Sequence, residues 1–235
     1  MEAFFQKIRP LLEVSFKFHD VVCDFIARYF MLLKKVILLI AFFSLLGAFY
    51  PLVFRQYGEL AGNLLIVLLF LSPLSRIFRM RVLLQLMGLR RELGILMGYL
   101  ALVHGLGFLI QLGDFSLLIP PTDPVLANFF LPFGLIGLFL IFPLLLTSNS
   151  ISVKFFGVFW KKIHYLVYPA FFFIVLHRML AGVDGGSGMK IFEAIILIGS
   201  YGMLKVFAWR PFSLSMKNFI DLIAREYGIY RQKTN

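Results

Sequence analysis

The chain has 235 residues, of which 60% are hydrophobic and only 15% are charged, and its mean hydropathy is +0.90. A water-soluble domain carries far more charge, so the composition predicts an integral membrane protein. The formal net charge of +11 would suit a nucleic-acid partner. We expect no such partner, because the basic residues fall in short segments between apolar runs, where they act as topology signals. The single cysteine, Cys23, permits no internal disulfide.

Residues 1–33 are predicted to form an amphipathic helix that lies in the membrane interface. Polar side chains recur along one helical stripe and apolar side chains fill the other side. His19 lies beside Asp20 at the edge of the polar stripe, and we expect a solvated surface histidine there. No cleavable signal peptide is predicted, since the first apolar run follows a long charged segment and lacks a small-residue cleavage site.

Six apolar runs follow, each long enough to cross about 30 Å of hydrocarbon. We place them at residues 36–54, 60–78, 93–112, 125–146, 159–180 and 191–209. The short polar break at 55–58 predicts a tight hairpin between the first two spans. The predicted fold is an all-α membrane protein, a six-transmembrane-helix bundle with amphipathic interfacial helices at both ends. Its parts are the interfacial segment 1–33, the transmembrane domain 34–210 and the tail 211–235.

Orientation follows from the distribution of charge between the spans. Arginine and lysine concentrate before span one, between spans two and three, between spans four and five, and in the tail, whereas Asp114, Asp123 and Asp184 lie in the alternate loops. The positive-inside rule therefore predicts that both termini lie in the cytoplasm.

Two histidines lie deep in apolar segments, His104 in the third span and His177 in the fifth. Ionisable residues inside a membrane are costly and mark functional sites. At about 1.5 Å per residue, His104 lies roughly 20 Å beyond Arg91, and His177 lies roughly 24 Å beyond Lys161. Because both spans run in the same direction, the two imidazoles are predicted at one depth. Neutral imidazoles on two helices suit axial ligation of a haem iron.

His164 lies only about 5 Å beyond Lys161, near the cytoplasmic end of the fifth span. A straight helix would put it on a different face from His177, although Pro169 between them can kink the helix. Its role stays open between ligand of a second haem, hydrogen-bond partner of a cofactor, and part of a flavin site on the cytoplasmic side. Arg178 is a partner for a haem propionate or a snorkelling interface anchor.

Simpler explanations exist for some of these features. A histidine in a membrane helix can serve only to hydrogen-bond a neighbouring helix. The small residues of the third span, which are Gly94, Gly98, Ala101 and Gly105, form a stripe that favours close helix packing.

Several stretches resemble the ferric reductase-like transmembrane family. The run Arg90-Arg-Glu-Leu-Gly94 followed by His104 resembles its third helix, and Gly58 and residues 71–76 also look similar. Residues 147–149, the run from Trp160 to Tyr168, and His177 resemble its fourth-to-fifth helix region. The resemblance covers about residues 57–209 and is strongest to the branch of haem-binding membrane subunits that serve periplasmic methionine sulfoxide reductases.

The resemblance implies a six-helix bundle that binds haem b. One haem is expected, and a second haem and an FMN stay open. It carries the family's haem histidines over to His104, His164 and His177, with Trp160 at the cofactor site. Larger relatives have a second histidine on the third helix, where this chain has Arg90 and Arg91. That departure puts a complete second bis-histidine site in doubt.

The resemblance also implies a place and a direction for the electrons. The protein would lie in a bacterial inner membrane, with electrons entering from a cytoplasmic flavin reductase or the quinone pool. They would leave to a periplasmic acceptor such as a methionine sulfoxide reductase. No nucleotide-binding motif follows the sixth span, so we expect an electron-transfer subunit that cannot oxidise NAD(P)H alone. Two rival functions stay open: a terminal ferric-iron or oxygen reductase, and a transporter or assembly factor without a cofactor.

Overall fold

The computed structural model describes residues 2–112, 130–183 and 190–209, and these residues form helices and turns without a strand. Six of the helical segments are long and apolar enough to cross a membrane, namely Lys17–Phe49, Arg55–Phe78, Arg90–Ile110, Phe130–Thr147, Val158–Ala181 and Ile191–Ala208. The predicted all-α, multi-pass membrane class is therefore confirmed. The predicted interfacial tail and the start of predicted span four, residues 125–129, lie outside the described residues.

The first two spans meet at a different place from the one predicted. Helix α1 (Glu2–Ser44) runs through the predicted boundary at residue 33, with non-helical dihedral angles at Tyr29. A 3₁₀ turn (Leu45–Phe49) follows, and helix α2 (Pro51–Phe78) begins at a proline. The hairpin predicted at 55–58 is wrong, because those residues lie inside α2. Proline cannot continue a helix but fits the first turn of a new one, so the chain turns before Pro51.

Short helices connect the longer ones in the described ranges. Helix α3 (Arg81–Gly88) precedes α4 (Arg90–Leu112), and α5 (Phe130–Thr147) is followed by α6 (Ser150–Phe156). Asn149 caps α6, because its side-chain oxygen accepts a hydrogen bond from the Ser152 amide at 2.8 Å. Gly157, with φ of 51°, then separates α6 from α7, and this left-handed conformation favours glycine.

The fifth span is not one helix, contrary to its predicted outline. It consists of α7 (Val158–His164) and α8 (Val167–Val183), separated at Tyr165 and Leu166. Pro169 explains the position of the break, since a proline ring clashes with the carbonyl four residues earlier and supplies no N–H. The last described helix, α9 (Ile191–Trp209), coincides with the predicted sixth span.

The chain divides into two compact units. Among the described residues, the first contains 2–34, 70–89 and 202–209, and the second contains 35–69, 90–112, 130–183 and 190–201. In the first unit Gln85 donates a hydrogen bond to the carbonyl of buried Cys23 at 2.9 Å, and Arg81 pairs with Asp24. His19 lies 3.4 Å from Asp20, and its side chain is only 22% exposed, so it is less solvated than predicted.

Glycines set the helix packing of the second unit. A Cβ at Gly98 on α4 would lie 2.9 Å from Leu145 on α5, and one at Gly137 on α5 would lie 2.9 Å from Ile174 on α8. Helix α5 therefore packs closely against both α4 and α8. Gly94, which belongs to the predicted small-residue stripe, has no such neighbour within 4 Å. This packing brings together the helices that carry His104 and His177.

Candidate functional site

Two histidines from different helices meet in the second unit. His104 of α4 and His177 of α8 have ring centres 6.3 Å apart, and their ring planes are inclined at 68°. Both side chains are half-buried. We call this pair the paired-histidine site. The structure thus brings together the two histidines that the depth argument placed at one level, and their role as ligands stays a prediction.

Each ring of the pair packs against a glycine of another helix, which is α2 for His104 and α5 for His177. A Cβ at Gly58 on α2 would lie 2.6 Å from Nδ1 and Cε1 of His104. A Cβ at Gly134 on α5 would lie 2.7 Å from Nδ1 of His177 and 2.8 Å from its Cε1. Since the nearest atoms are Nδ1, Cε1 and Cγ in both cases, the Nδ1 edge of each ring faces a helix backbone. The Nε2 edge is directed away from it.

A hydrogen bond fixes the tautomer of His177. Its Nδ1 lies 2.8 Å from the carbonyl oxygen of Phe130, in the first turn of α5. A carbonyl only accepts, so Nδ1 carries the proton and donates it, and Nε2 keeps its lone pair. Metal-ligating histidines are held in this way, with one ring nitrogen bonded to a carbonyl or carboxylate and the other facing the metal.

The spacing of the rings fits a haem iron. Imidazoles that bind one metal from opposite sides, with metal–nitrogen bonds of about 2 Å, have ring centres about 6 Å apart. In the described part of the chain no three His, Cys, Asp or Glu side chains converge on one point. The pair would therefore supply two nitrogen ligands, and a porphyrin supplies its own four. The residues present fit a haem.

Arg178, the neighbour of His177, is held by α2. Its Nη1 donates a hydrogen bond of 2.9 Å to the side-chain oxygen of Asn63. A Cβ at Gly62 would lie 2.9 Å from the same nitrogen, so the guanidinium packs against the helix backbone. Sequence reasoning singled out Arg178 and missed Gly62 and Asn63. The available signal was the four-residue spacing of Gly58 and Gly62, which puts both glycines on one helix face.

His164 has a different kind of neighbour. Its ring stacks on that of Trp160 with centres 3.9 Å apart, and its Nδ1 lies 3.1 Å from the Trp160 carbonyl oxygen. Trp160 donates its indole N–H to the carbonyl of Thr147 at the end of α5, at 2.9 Å. We call Trp160 and His164 the tryptophan–histidine site. The structure therefore gives His164 an indole as ring partner, and His177 lies on the next helix, beyond the break.

Basic and aromatic groups surround the tryptophan–histidine site. Lys161 and Lys162 share the last turn of α7 with His164. Tyr201 shares a hydrogen bond with Tyr168, and their ring centres lie 6.5 Å apart. This end of the unit therefore combines basic side chains with a group of hydrogen-bonding aromatic side chains.

The arginine next to Arg90 has a partner of opposite charge. Arg91 donates to Glu92 through Nε at 3.2 Å and through Nη2 at 2.9 Å. Glu92 is buried, with 1% of its surface exposed. The carboxylate therefore balances the charge of Arg91.

Comparison with known proteins places this unit in a family context. Residues 57–175 match the family described as "Ferric reductase like transmembrane component". The matched stretch contains His104 and His164 and ends two residues before His177. The match also includes Gly58 and Gly134, which pack against the two histidine rings.

Individual relatives give a similar result. The chain is 31% identical over 139 residues to the protein-methionine-sulfoxide reductase haem-binding subunit MsrQ of Brucella ovis, and equally to those of Brucella canis and Brucella suis. The alignment covers 59% of this chain and 61% of each relative. No solved structure matches the chain.

Proposed function

The chain belongs to the ferric reductase-like transmembrane family, and we propose that it is a membrane subunit that holds haem b and transfers electrons across the bilayer. The observation that carries this proposal is the pair of imidazole rings 6.3 Å apart, each with its Nδ1 edge against a helix backbone. The printed name of the curated relatives, a haem-binding subunit, supports the same cofactor.

Each residue of the paired-histidine site has a definite task in this proposal. The Nε2 atoms of His104 and His177 would hold the haem iron, and the carbonyl of Phe130 keeps His177 in the tautomer that can bind it. Gly58 and Gly134 leave room for the two rings. Bound there, the haem would supply one-electron redox chemistry.

Arg178 supplies charge beside this site. A guanidinium forms strong, paired hydrogen bonds with carboxylates, and a haem carries two propionates. Arg178 is adjacent to a proposed axial ligand and is held by Asn63. We therefore assign it to a haem propionate rather than to the interface anchor that sequence reasoning left open.

The tryptophan–histidine site is proposed as the end where electrons enter. The packed rings of Trp160 and His164 offer an aromatic surface, and Lys161 and Lys162 in the same helix offer positive charge. These groups suit a flavin ring and its phosphate. The donor would be a cytoplasmic flavin reductase or the quinone pool, and an FMN would take this position. We assign one haem, because an indole and not a second histidine faces His164.

The acceptor is proposed from the relatives and from the charge distribution. The positive-inside pattern supports a bacterial inner membrane protein with both termini on the cytoplasmic side. The paired-histidine site would then lie toward the periplasm. Because the curated relatives are named as subunits of a methionine-sulfoxide reductase, we propose a periplasmic reductase of that kind as the acceptor.

The first experiment is a reduced-minus-oxidised absorption spectrum of the protein purified from haem-replete cells, together with a haem-to-protein ratio. We expect the bands of a six-coordinate, low-spin haem b, unchanged by carbon monoxide, and a ratio near one. A colourless preparation would contradict the proposal and favour the transporter or assembly factor without a cofactor.

The acceptor is tested by mixing the chemically reduced protein with a periplasmic methionine sulfoxide reductase, with ferric chelates, and with dissolved oxygen. We expect the reductase to reoxidise the protein fastest. Faster reoxidation by a ferric chelate or by oxygen would favour the terminal reductase instead.

A further inference from the structure

Helix α2 carries no proposed ligand, yet it contacts His104 of the paired-histidine site and also Arg178, the neighbour of His177. Gly58 seats the ring of His104, and one turn later Gly62 lies against the Arg178 guanidinium. Asn63, the next residue, accepts the hydrogen bond of 2.9 Å from Arg178 Nη1. One helix thus contacts both the proposed haem site, through Gly58, and the neighbouring guanidinium, through Gly62 and Asn63.

We propose that Asn63 is a positioning residue, which holds the guanidinium of Arg178 beside the haem site and thereby raises the reduction potential of the haem. This inference rests on the proposed function, because it concerns the cofactor proposed there. It adds a residue on a helix that supplies none of the ligands, and it assigns that residue an effect on electron affinity.

The sign of the effect follows from electrostatics. Reduction adds one negative charge to the iron centre, so a fixed positive charge nearby stabilises the reduced form more than the oxidised form. The effect is stronger where water is scarce, and Arg178 is half-buried in a membrane-spanning segment. A guanidinium that stayed at its place would therefore make the haem a better electron acceptor.

Position matters because arginine is flexible. A snorkelling arginine extends along the apolar surface until its charge reaches water. Arg178 is instead directed at α2, where the Asn63 oxygen takes one of its donors and the absence of a side chain at Gly62 leaves room for it. Asn63 needs a partner as well, since an unsatisfied amide within a membrane is costly. The two side chains therefore hold each other in place.

The test is the midpoint potential of the haem in Asn63→Leu, Arg178→Gln and the double variant, each purified as the full chain. Asn63→Leu removes the acceptor at similar side-chain size. We expect it to raise the oxidised-to-reduced ratio at fixed potential by up to about tenfold, which corresponds to a fall of about 59 mV for one electron. Arg178→Gln should lower the potential at least as much. The double variant should match Arg178→Gln alone, because Asn63 acts through the arginine.

A second variant keeps the test informative if Asn63→Leu does not fold. Gly62→Ala introduces a Cβ 2.9 Å from Arg178 Nη1 and should also lower the potential. Gly94→Ala is the matched control, because no atom lies within 4 Å of its Cβ position, and it should leave the potential unchanged.

Two results would overturn the inference while leaving the haem proposal intact. One is a wild-type potential in haem-loaded Asn63→Leu and Gly62→Ala. The other is a fall in midpoint potential that Asn63→Leu causes equally in the wild-type protein and in the Arg178→Gln variant. A wild-type protein without haem would instead overturn both the inference and the proposed function.

Discussion

The paired-histidine site and the tryptophan–histidine site contain the same kind of side chain in opposite surroundings. His104 and His177 pack against glycine backbones on α2 and α5, with their Nε2 edges directed away from those helices. His164 packs against the ring of Trp160 with centres 3.9 Å apart. We infer from this difference that the neighbours of a histidine, more than its burial in an apolar run, decide whether it serves as a ligand.

The two sites also differ in how the chain builds them. The paired-histidine site draws on α2, α4, α5 and α8, so it depends on helix packing within the second unit. The tryptophan–histidine site lies within α7 and is attached to α5 through the bond from Trp160 to the Thr147 carbonyl. Changes to the glycines should therefore affect the first site and spare the second, and changes to Trp160 should do the reverse.

The largest effect is expected from Gly58→Ala and Gly134→Ala. Each introduces a Cβ within 2.7 Å of a histidine ring, and overpacking of this kind costs about 1–3 kcal/mol. Displacing a ligand should weaken haem affinity by about 10- to 100-fold, measured by haem titration of the purified variants. Gly94→Ala and Gly199→Ala, which have no neighbour within 4 Å, serve as controls and should bind haem normally. Normal affinity in both test variants would show that the glycines do not seat the ligands.

A smaller effect is expected from Trp160→Leu, which should slow electron entry and leave haem binding unchanged. It removes the indole hydrogen bond to Thr147 and the ring contact with His164, which together should cost about 1–3 kcal/mol of stability. Reduction by a flavin reductase should slow while the haem-to-protein ratio stays at the wild-type value. The measurements are thermal unfolding and stopped-flow reduction.

Trp160→Phe is the matched control, since it keeps an aromatic ring and loses the N–H donor together with part of the ring surface. It should retain part of the reduction rate. Loss of haem in either Trp160 variant would mean that the two sites are not independent.

The smallest effect is expected from Asn149→Ala, which removes the N-cap of α6 between the two segments that build the tryptophan–histidine site. The loss should be about 1 kcal/mol of stability, with haem content and reduction rate unchanged. Asn149→Asp keeps the capping oxygen but loses the Nδ2 donor to the Leu146 carbonyl, so it should recover only part of the lost stability. A change in the haem spectrum of Asn149→Ala would contradict the separation of the sites.

Hydropathy and residue spacing predict the spans and the depth of the histidines because a bilayer imposes a narrow range of helix lengths. The predicted start of the sixth span, residue 191, is where α9 begins. The break in the fifth span could be anticipated from Pro169, although its position at Tyr165 and Leu166 required the structure.

The contacts that define the sites were beyond sequence reasoning. Phe130 and His177 are 47 residues apart in the chain, and Asn63 and Arg178 are 115 residues apart. Periodicity within one helix gives no information about which backbone another helix will meet. The prediction of a turn at Gly58 failed for the same reason. From sequence alone, a glycine beside polar residues in a turn cannot be distinguished from a helical glycine that packs against a side-chain ring.

The central claim is tested most directly by the haem-to-protein ratio of His104→Ala, His177→Ala and His164→Ala, purified side by side from haem-replete cells. Loss of either axial ligand should remove nearly all of the haem, whereas His164→Ala should retain most of it, because Trp160 and not the haem is its partner. Complete loss in all three variants, or full haem content in His104→Ala or His177→Ala, would contradict the assignment.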